Sequence, residues 1–215
     1  MGTGDVKIIL VGSSKSRLGK TQLCELLFSS FDGFSALKVT TAHTGEHHDC
    51  PRAIPCGACD SSLEGYLMVD DPTALKEKGK DTERYLRAGA EKVFWLTSSP
   101  EAMPEGLGGA IDRMMPFKVL VIEGNSPYSH LVRYGYEPLV IFICGDDGAI
   151  KESAREVLEH AQIVVPSGEE CGARLSERQI LHRPFSQEGR SAFLLEVSRW
   201  CAASPKIAEE SSEDQ

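Results

Sequence analysis

The stretch DVKIILVGSSKSRLGKTQLCELLFSSF, Asp5 to Phe31, decides how the rest of the chain is read. DVKIILVG is a short apolar run of β-forming residues. KTQLCELLFSSF then carries apolar residues at Leu23, Leu26, Leu27 and Phe31, the spacing of one helix face. The spacing predicts strand, loop and helix, with the loop GSSKSRLGKT, Gly12 to Thr21, between them. In the phosphate-loop pattern G-x-x-x-x-G-K-[ST], the glycines let backbone N–H groups wrap the phosphates, and the lysine reaches their oxygens. The Ser/Thr hydroxyl serves Mg²⁺. Gly19, Lys20 and Thr21 supply the second half of that pattern, while Ser14 stands where its first glycine belongs. Serine reaches positive φ less readily than glycine. Two readings stand: a nucleotide site, or a structural turn.

Measured from Lys15, the loop reads K-x-x-x-G-K-T and resembles the deviant phosphate loop of the SIMIBI branch of NTPases. There an early lysine helps neutralise phosphate, often across a dimer. That family has glycines where this chain has Ser16 and Arg17. The candidate nucleotide-binding residues of the loop are Gly12, Ser14, Lys15, Ser16, Arg17, Leu18, Gly19, Lys20, Thr21 and Gln22. A second acid should end a neighbouring apolar strand and serve the magnesium ion, and KVLVIEGN offers Glu123. The bland alternative is a glutamate that merely ends a strand. Lys20 and Glu123 are the candidate catalytic residues, Thr21 and Glu123 the candidate Mg²⁺ ligands, and Asn125 and Ser126 are placed to reach a substrate.

Further apolar runs follow: SALKVTTA (Ser35 to Ala42), YLMVDDP, KVFWLTSS (Lys92 to Ser99), KVLVIEG (Lys118 to Gly124), PLVIFICG (Pro138 to Gly145) and QIVVPS. DTERYLRAGA, DGAIKESAREVLEHA and SAFLLEVSRWCAA are helical in pattern, and PEAMPEGLGG is a Gly/Pro-rich piece. Alternating strands and helices predict an α/β fold with a mostly parallel central sheet covered on both faces, and the resemblance of the loop to the SIMIBI branch implies the three-layer fold of a P-loop NTPase. The expected organisation is one domain over residues 1–203, with a Cys/His-rich insertion at about 43–65 and an acidic, solvated tail at 204–215.

The formal net charge of -9 argues against a nucleic-acid partner, because a polyanion needs a basic footprint. A phosphate loop presents its positive potential locally, so a single nucleotide remains compatible. No run approaches the roughly 20 apolar residues that span a bilayer, and MGTGDVKIILVG lacks a basic leader region. A cytoplasmic protein without a membrane partner is expected. Cys24, Cys144 and Cys201 sit in apolar surroundings and read as small core residues.

GKDTERYLRAGAEKVFWLTSS, Gly79 to Ser99, resembles the G-K-D-S/T-x-R-x-x-x-A-G-A segment of the MobB family, the molybdopterin-guanine dinucleotide biosynthesis protein B. The phosphate loop, the histidines of TAHTGEHHD and the strand VIEG agree with that family in order. The resemblance covers about the first 125 residues. It implies a P-loop NTPase, typically a homodimer, binding GTP with Mg²⁺ near the step that joins a nucleotide to molybdopterin. It also places Asp81 and Arg84 in the family's second polar segment. Without the family, those two are a surface ion pair near a helix start. The chain departs from the family in CPRAIPCGACDSSLEGYLMVDDPTALKEK, in KSRLGKT, and in the absence of a basic residue soon after Glu123 and Gly124. No N-K-x-D guanine motif occurs, so GTP rests on the resemblance and ATP stays open.

HHDCPRAIPCGACD gathers His47, His48, Cys50, Cys56 and Cys59. The C-x-x-C of Cys56 and Cys59 can fill two corners of a tetrahedral thiolate site, which Cys50 and a histidine would complete. Zn²⁺ or an iron-sulfur cluster shared across a dimer are the candidate metals; redox-active or substrate-binding thiols and an inert loop are the alternatives. The leading expectation is a GTP- or ATP-binding, hydrolysing accessory protein of molybdenum-cofactor biosynthesis or metalloenzyme maturation. Its partners would be the nucleotide and a molybdopterin-type cofactor or a metalloenzyme. A small-molecule kinase or ligase of dethiobiotin-synthetase type, and a binding module that hydrolyses nothing, are the rivals.

Overall fold

The computed structural model describes residues 6–42, 63–168, 171, 175–177 and 179–203. Its core is a sheet of eight strands in the order β3-β4-β2-β5-β1-β6-β7-β8. These are β1 (Ile8–Ser13), β2 (Phe34–Thr41), β3 (Tyr66–Val69), β4 (Val93–Ser98), β5 (Val119–Glu123), β6 (Leu139–Cys144), β7 (Ile163–Pro166) and β8 (Ile180–Leu181). All neighbours pair in parallel except the edge strand β3, which runs antiparallel to β4.

The continuous apolar runs noted above follow from burial on both faces of this sheet. In β1, Ile8 and Leu10 belong to one core cluster while Ile9 and Val11 belong to the other, the period-two alternation of a strand between two layers. The helices divide accordingly. Helices α1 (Lys20–Ser30), α2 (Pro72–Leu75), α3 (Asp81–Ala88) and α7 (Gln187–Ala202) contribute to the face of Ile9 and Val11. Helices α4 (Met103–Met114), α5 (Tyr128–Arg133) and α6 (Glu152–Glu159) cover the opposite face. Strand β1 lies between β5 and β6, and its following helix packs on the face opposite to theirs. In open α/β sheets a crevice forms at the carboxyl ends of strands where the winding switches faces, and the β1–α1 loop sits at such a point.

The Gly/Pro-rich piece around Pro104 to Gly109 is a helix, not a loop. Pro104 falls in the first turn of α4, where its missing N–H removes no intrahelical bond. Gly106 is there for space: a Cβ at that position would lie 2.9 Å from Tyr66 Cγ and 3.1 Å from Leu96 Cδ1. The short helix α5 and the edge strand β8 are likewise elements that the sequence pattern did not mark.

Cys24 is buried as expected and Cys201 is half-buried. Cys144 is buried too, but it is no simple core residue, because it is disulfide-bonded to Cys171 across a sequence separation of 27. Closing a loop of that size stabilises a fold by about 3.5 kcal/mol in the chain-entropy account. Addition of a thiol reductant is therefore expected to lower the melting temperature; an unchanged melting temperature would contradict the pairing.

Candidate functional site

Strands β1, β2 and β5 and helices α1 and α3 each bring one or two side chains to the carboxyl end of β1. Strand periodicity does most of the positioning. Val11 and Val121 face α1, and so do the residues two further along, Ser13 on β1 and Glu123 on β5. On β2, Ala36 faces the same side, which sends Lys38 there, and β2 pairs with β5 so that Lys38 stands opposite Glu123 in register. Helix α1 starts beneath these residues. Its N-cap, Gly19, is left-handed at φ 96°, and no side chain caps the helix, so its first N–H groups point from the loop as donors.

The resulting cluster is densely connected. Lys20 Nζ donates to Ser13 Oγ at 2.7 Å, and Ser13 Oγ donates to the Lys15 carbonyl at 2.7 Å. Thr21 Oγ1 lies 3.0 Å from Asp81 Oδ1 and 3.2 Å from Glu123 Oε2, and its single proton serves one of them at a time. Lys38 Nζ bonds Glu123 Oε1 and also pairs with Asp81 Oδ2 at 2.9 Å. The Tyr85 hydroxyl donates to Glu123 Oε2. Glu123 is thereby held at 2% exposure with both carboxylate oxygens occupied. A carboxylate so deeply buried is tolerable only when paired and hydrogen-bonded.

The electrostatics follow from this crowding. Burial is the largest influence on Lys20 and pulls its pKa below the ordinary lysine value, with Glu123 pulling it back up. Burial also works hardest against Lys38, yet Glu123 and Asp81 together outweigh it and hold that ammonium above its ordinary value. For Asp81, burial is again the largest single influence, but the opposing attraction of Lys38 and the hydrogen bonds leave its carboxyl below the ordinary value. Tyr85 is pushed well above the usual phenol range by burial and then by Glu123, and Cys24 is raised well for the same two reasons. Tyr85 thus stays a neutral donor and Cys24 a thiol.

Several expected residues take roles different from those the spacing suggested. Asp81 and Arg84 are not a mutual surface pair. Arg84 grips Glu25 with two hydrogen bonds, Nε to Oε1 at 2.9 Å and Nη2 to Oε2 at 2.6 Å, while Asp81 meets Thr21 and Lys38. Thr21 and Glu25 are one turn apart on α1, as are Asp81 and Arg84 on α3, so the two contacts clasp the helices side by side. The Asn125 amide is held against the backbone of Ser13: its Oδ1 accepts from the Ser13 N–H at 2.9 Å and its Nδ2 donates to the Ser13 carbonyl at 3.0 Å. Ser126 Oγ is engaged by the Thr41 hydroxyl at 2.8 Å.

Ser14 never needs the glycine conformation. Its N–H donates to the Ile143 carbonyl, its carbonyl accepts from the Lys151 N–H, and its Oγ accepts from the Gly145 N–H, each at 3.0 Å. The left-handed position moves to Arg17, at φ 64°, the only non-glycine residue with positive φ among those described. Lys15 pairs with Asp147 of its own chain, and Lys151 Nζ donates to Ser16 Oγ at 3.2 Å. Leu18 packs at the edge of the α1-side core. Gly12 leaves room for close approach, since a Cβ there would lie 2.7 Å from Val157 Cγ1 and 2.8 Å from Asn125 Oδ1. A left-handed L-residue costs about 1–2 kcal/mol, partly offset against glycine by about 0.5–1 kcal/mol of unfolded-chain entropy. Arg17→Gly is expected to raise the melting temperature slightly; a fall would show that the arginine side chain contributes stability at this turn.

Lys38 and Tyr85 are the site residues that the motifs did not mark. The signal was present for Lys38, a lone lysine inside an apolar strand, but its meaning depends on the strand order. His47, His48, Cys50, Cys56 and Cys59 lie outside the described residues, as do the rest of 43–62 and the tail 204–215. Among the described residues no group of three His, Cys, Asp or Glu side chains gathers as a metal site, and no helix is long and apolar enough to cross a membrane. The oxygens of Thr21, Asp81 and Glu123 are nonetheless the hard donor type that Mg²⁺ takes, usually alongside phosphate and water oxygens. No protein-family model, curated protein or solved structure matches the chain.

Proposed function

We propose that the chain binds a nucleoside triphosphate, GTP or ATP, with Mg²⁺ at the β1–α1 loop and hydrolyses it in the manner of a P-loop NTPase. One observation carries the reading: an uncapped helix start with Gly19, Lys20 and Thr21 faces a buried acid, Glu123, at the end of the adjoining β5. Anions favour helix N-termini, where N–H groups and the macrodipole act together. Lys20, now resting on Ser13 Oγ, is the cation that would follow the transferred phosphate. Thr21, Asp81 and Glu123 would hold the Mg²⁺, which when bound neutralises charge on the phosphates. Burial disfavours the bare Lys20 ammonium, so an arriving phosphate would be its stabilising partner. Ser13, Asn125 and the Ser14 contacts hold the loop in place before any ligand arrives, which is the preorganisation that electrostatic catalysis requires.

The assignment to molybdenum-cofactor biosynthesis or metalloenzyme maturation is supported by the MobB-like segment Gly79 to Ser99, the histidines and VIEG in family order. Asp81 of that segment reaches Thr21 at 3.0 Å, so its polar residues adjoin the loop. The test is equilibrium binding of non-hydrolysable GTP and ATP analogues with Mg²⁺, followed by steady-state phosphate release. Saturable binding and slow release are expected. Release that requires a small acceptor would transfer the reading to a kinase or ligase on the same phosphate site, and no binding of either analogue would end both.

A further inference from the structure

Glu123 and Asp81 already hold a cation. Lys38 Nζ bonds a carboxylate oxygen of each, and the same two residues present their other oxygens to Thr21 Oγ1. The ammonium therefore sits among the oxygens that a divalent ion would need. This is built by the fold rather than by a flexible surface side chain. Lys38 is fixed in register opposite Glu123 on adjacent parallel strands, its side chain is 18% exposed, and that of Glu123 is 3% exposed. Tyr85 occupies Glu123 Oε2 from the remaining side, so both oxygens of Glu123 are already engaged, Oε1 by Lys38 itself, on the side where an ion would bind.

We infer that Lys38 is an internal counter-cation that holds the divalent-ion site in the nucleotide-free chain, must be displaced for the ion to bind, and so couples metal binding to nucleotide binding. The inference rests on the reading of the β1–α1 loop as a phosphate site. The reason is charge balance. With Lys38 in place, one ammonium faces two carboxylates. A divalent ion added alone would leave the carboxylates outweighed, with Lys20 also close enough to feel Lys38. The displaced ammonium then has no anionic partner, and in a poorly hydrated site that is costly. A triphosphate supplies the missing negative charge. Ion and nucleotide therefore favour each other through Lys38, and by linkage each raises the affinity of the other by the same factor. Lys38 acts here as a positioning residue for the metal.

The experiment is a titration with Mn²⁺ in the absence of nucleotide, with free ion read by electron paramagnetic resonance, on the wild-type chain, Lys38→Met and Lys38→Arg. Lys38→Met is expected to bind Mn²⁺ on the order of tenfold more tightly than wild type, and Lys38→Arg to bind as weakly as wild type. Because Lys38→Met leaves two carboxylates without their cation, its melting temperature is expected to fall without Mn²⁺ and to recover when Mn²⁺ is added. A purely structural lysine would give no such ion-specific recovery. Equal or weaker Mn²⁺ binding by Lys38→Met, or a variant that Mn²⁺ does not restabilise, overturns the inference. Neither readout involves nucleotide, so a failure here is distinguishable from failure of wild type to bind the triphosphate analogues, which would remove the phosphate site itself.

Discussion

Replacement of Lys20 by alanine is expected to reduce nucleotide hydrolysis by at least about 10²-fold, the usual cost of deleting one preorganised charge-stabilising donor. The fold should survive, because Lys20 belongs to neither core cluster and its ammonium donates to a hydroxyl, Ser13 Oγ, rather than to a charged partner. Loss of an ammonium whose charge burial already disfavours removes no favourable pairing of comparable strength in the ligand-free chain. Phosphate release and thermal melting of the same preparation separate the two effects. A variant that melts normally yet keeps full hydrolysis would place the phosphate chemistry elsewhere.

The Glu123→Ala variant should behave in the opposite way, with stability suffering first. Removal of one partner from a buried ion pair costs about 3–5 kcal/mol, since the surviving charge is left without compensation. Here Lys38 would retain only Asp81, and the buried Tyr85 hydroxyl would lose its acceptor. Glu123→Gln keeps an acceptor for Tyr85 but removes the charge facing Lys38, so its loss of stability should fall between wild type and alanine. Denaturant midpoints at constant m-value measure the series. A Glu123→Ala chain as stable as wild type would mean that the Lys38 contact contributes nothing to the fold.

The parts of the molecule that were legible in the sequence are those built from local pattern. The run around Ile8 to Val11 and the apolar spacing of Leu23, Leu26 and Leu27 define β1 and α1, because burial between two layers demands such runs and such a helix face. The motif at Gly19 to Thr21 lands at a helix start, as its spacing predicts. What was not legible depends on neighbours distant in sequence. Helix α4 was hidden by glycines that look like breakers until Tyr66 and Leu96 are seen to fill the space above Gly106. Lys38 has no local reason to exist inside an apolar strand; its reason is Glu123, which adjoins it only because β2 lies beside β5. Asp81 and Arg84 looked like each other's partners because they share a helix turn, whereas α1, packed alongside, offers both of them better ones.

The serine at position 14 shows the same dependence on context. Against a glycine consensus it reads as damage, yet its hydroxyl accepts the Gly145 N–H and its backbone bridges to Ile143 and Lys151. The chain places its left-handed residues at Arg17 and Gly19 instead. The turn into α1 is thus shaped by residues 17–19, and Ser14 anchors the loop to the end of β6 and the segment after it.

The most direct test of nucleotide binding at the β1–α1 loop is a co-crystal structure with a non-hydrolysable triphosphate analogue and Mg²⁺. The predicted result is a triphosphate against the N–H groups at the start of α1, Lys20 Nζ moved from Ser13 onto a phosphate oxygen, and the ion beside Thr21 with Lys38 displaced from Glu123. An analogue bound away from Gly19 to Thr21, or crystals grown at saturating analogue in which Lys20 still rests on Ser13, would contradict it.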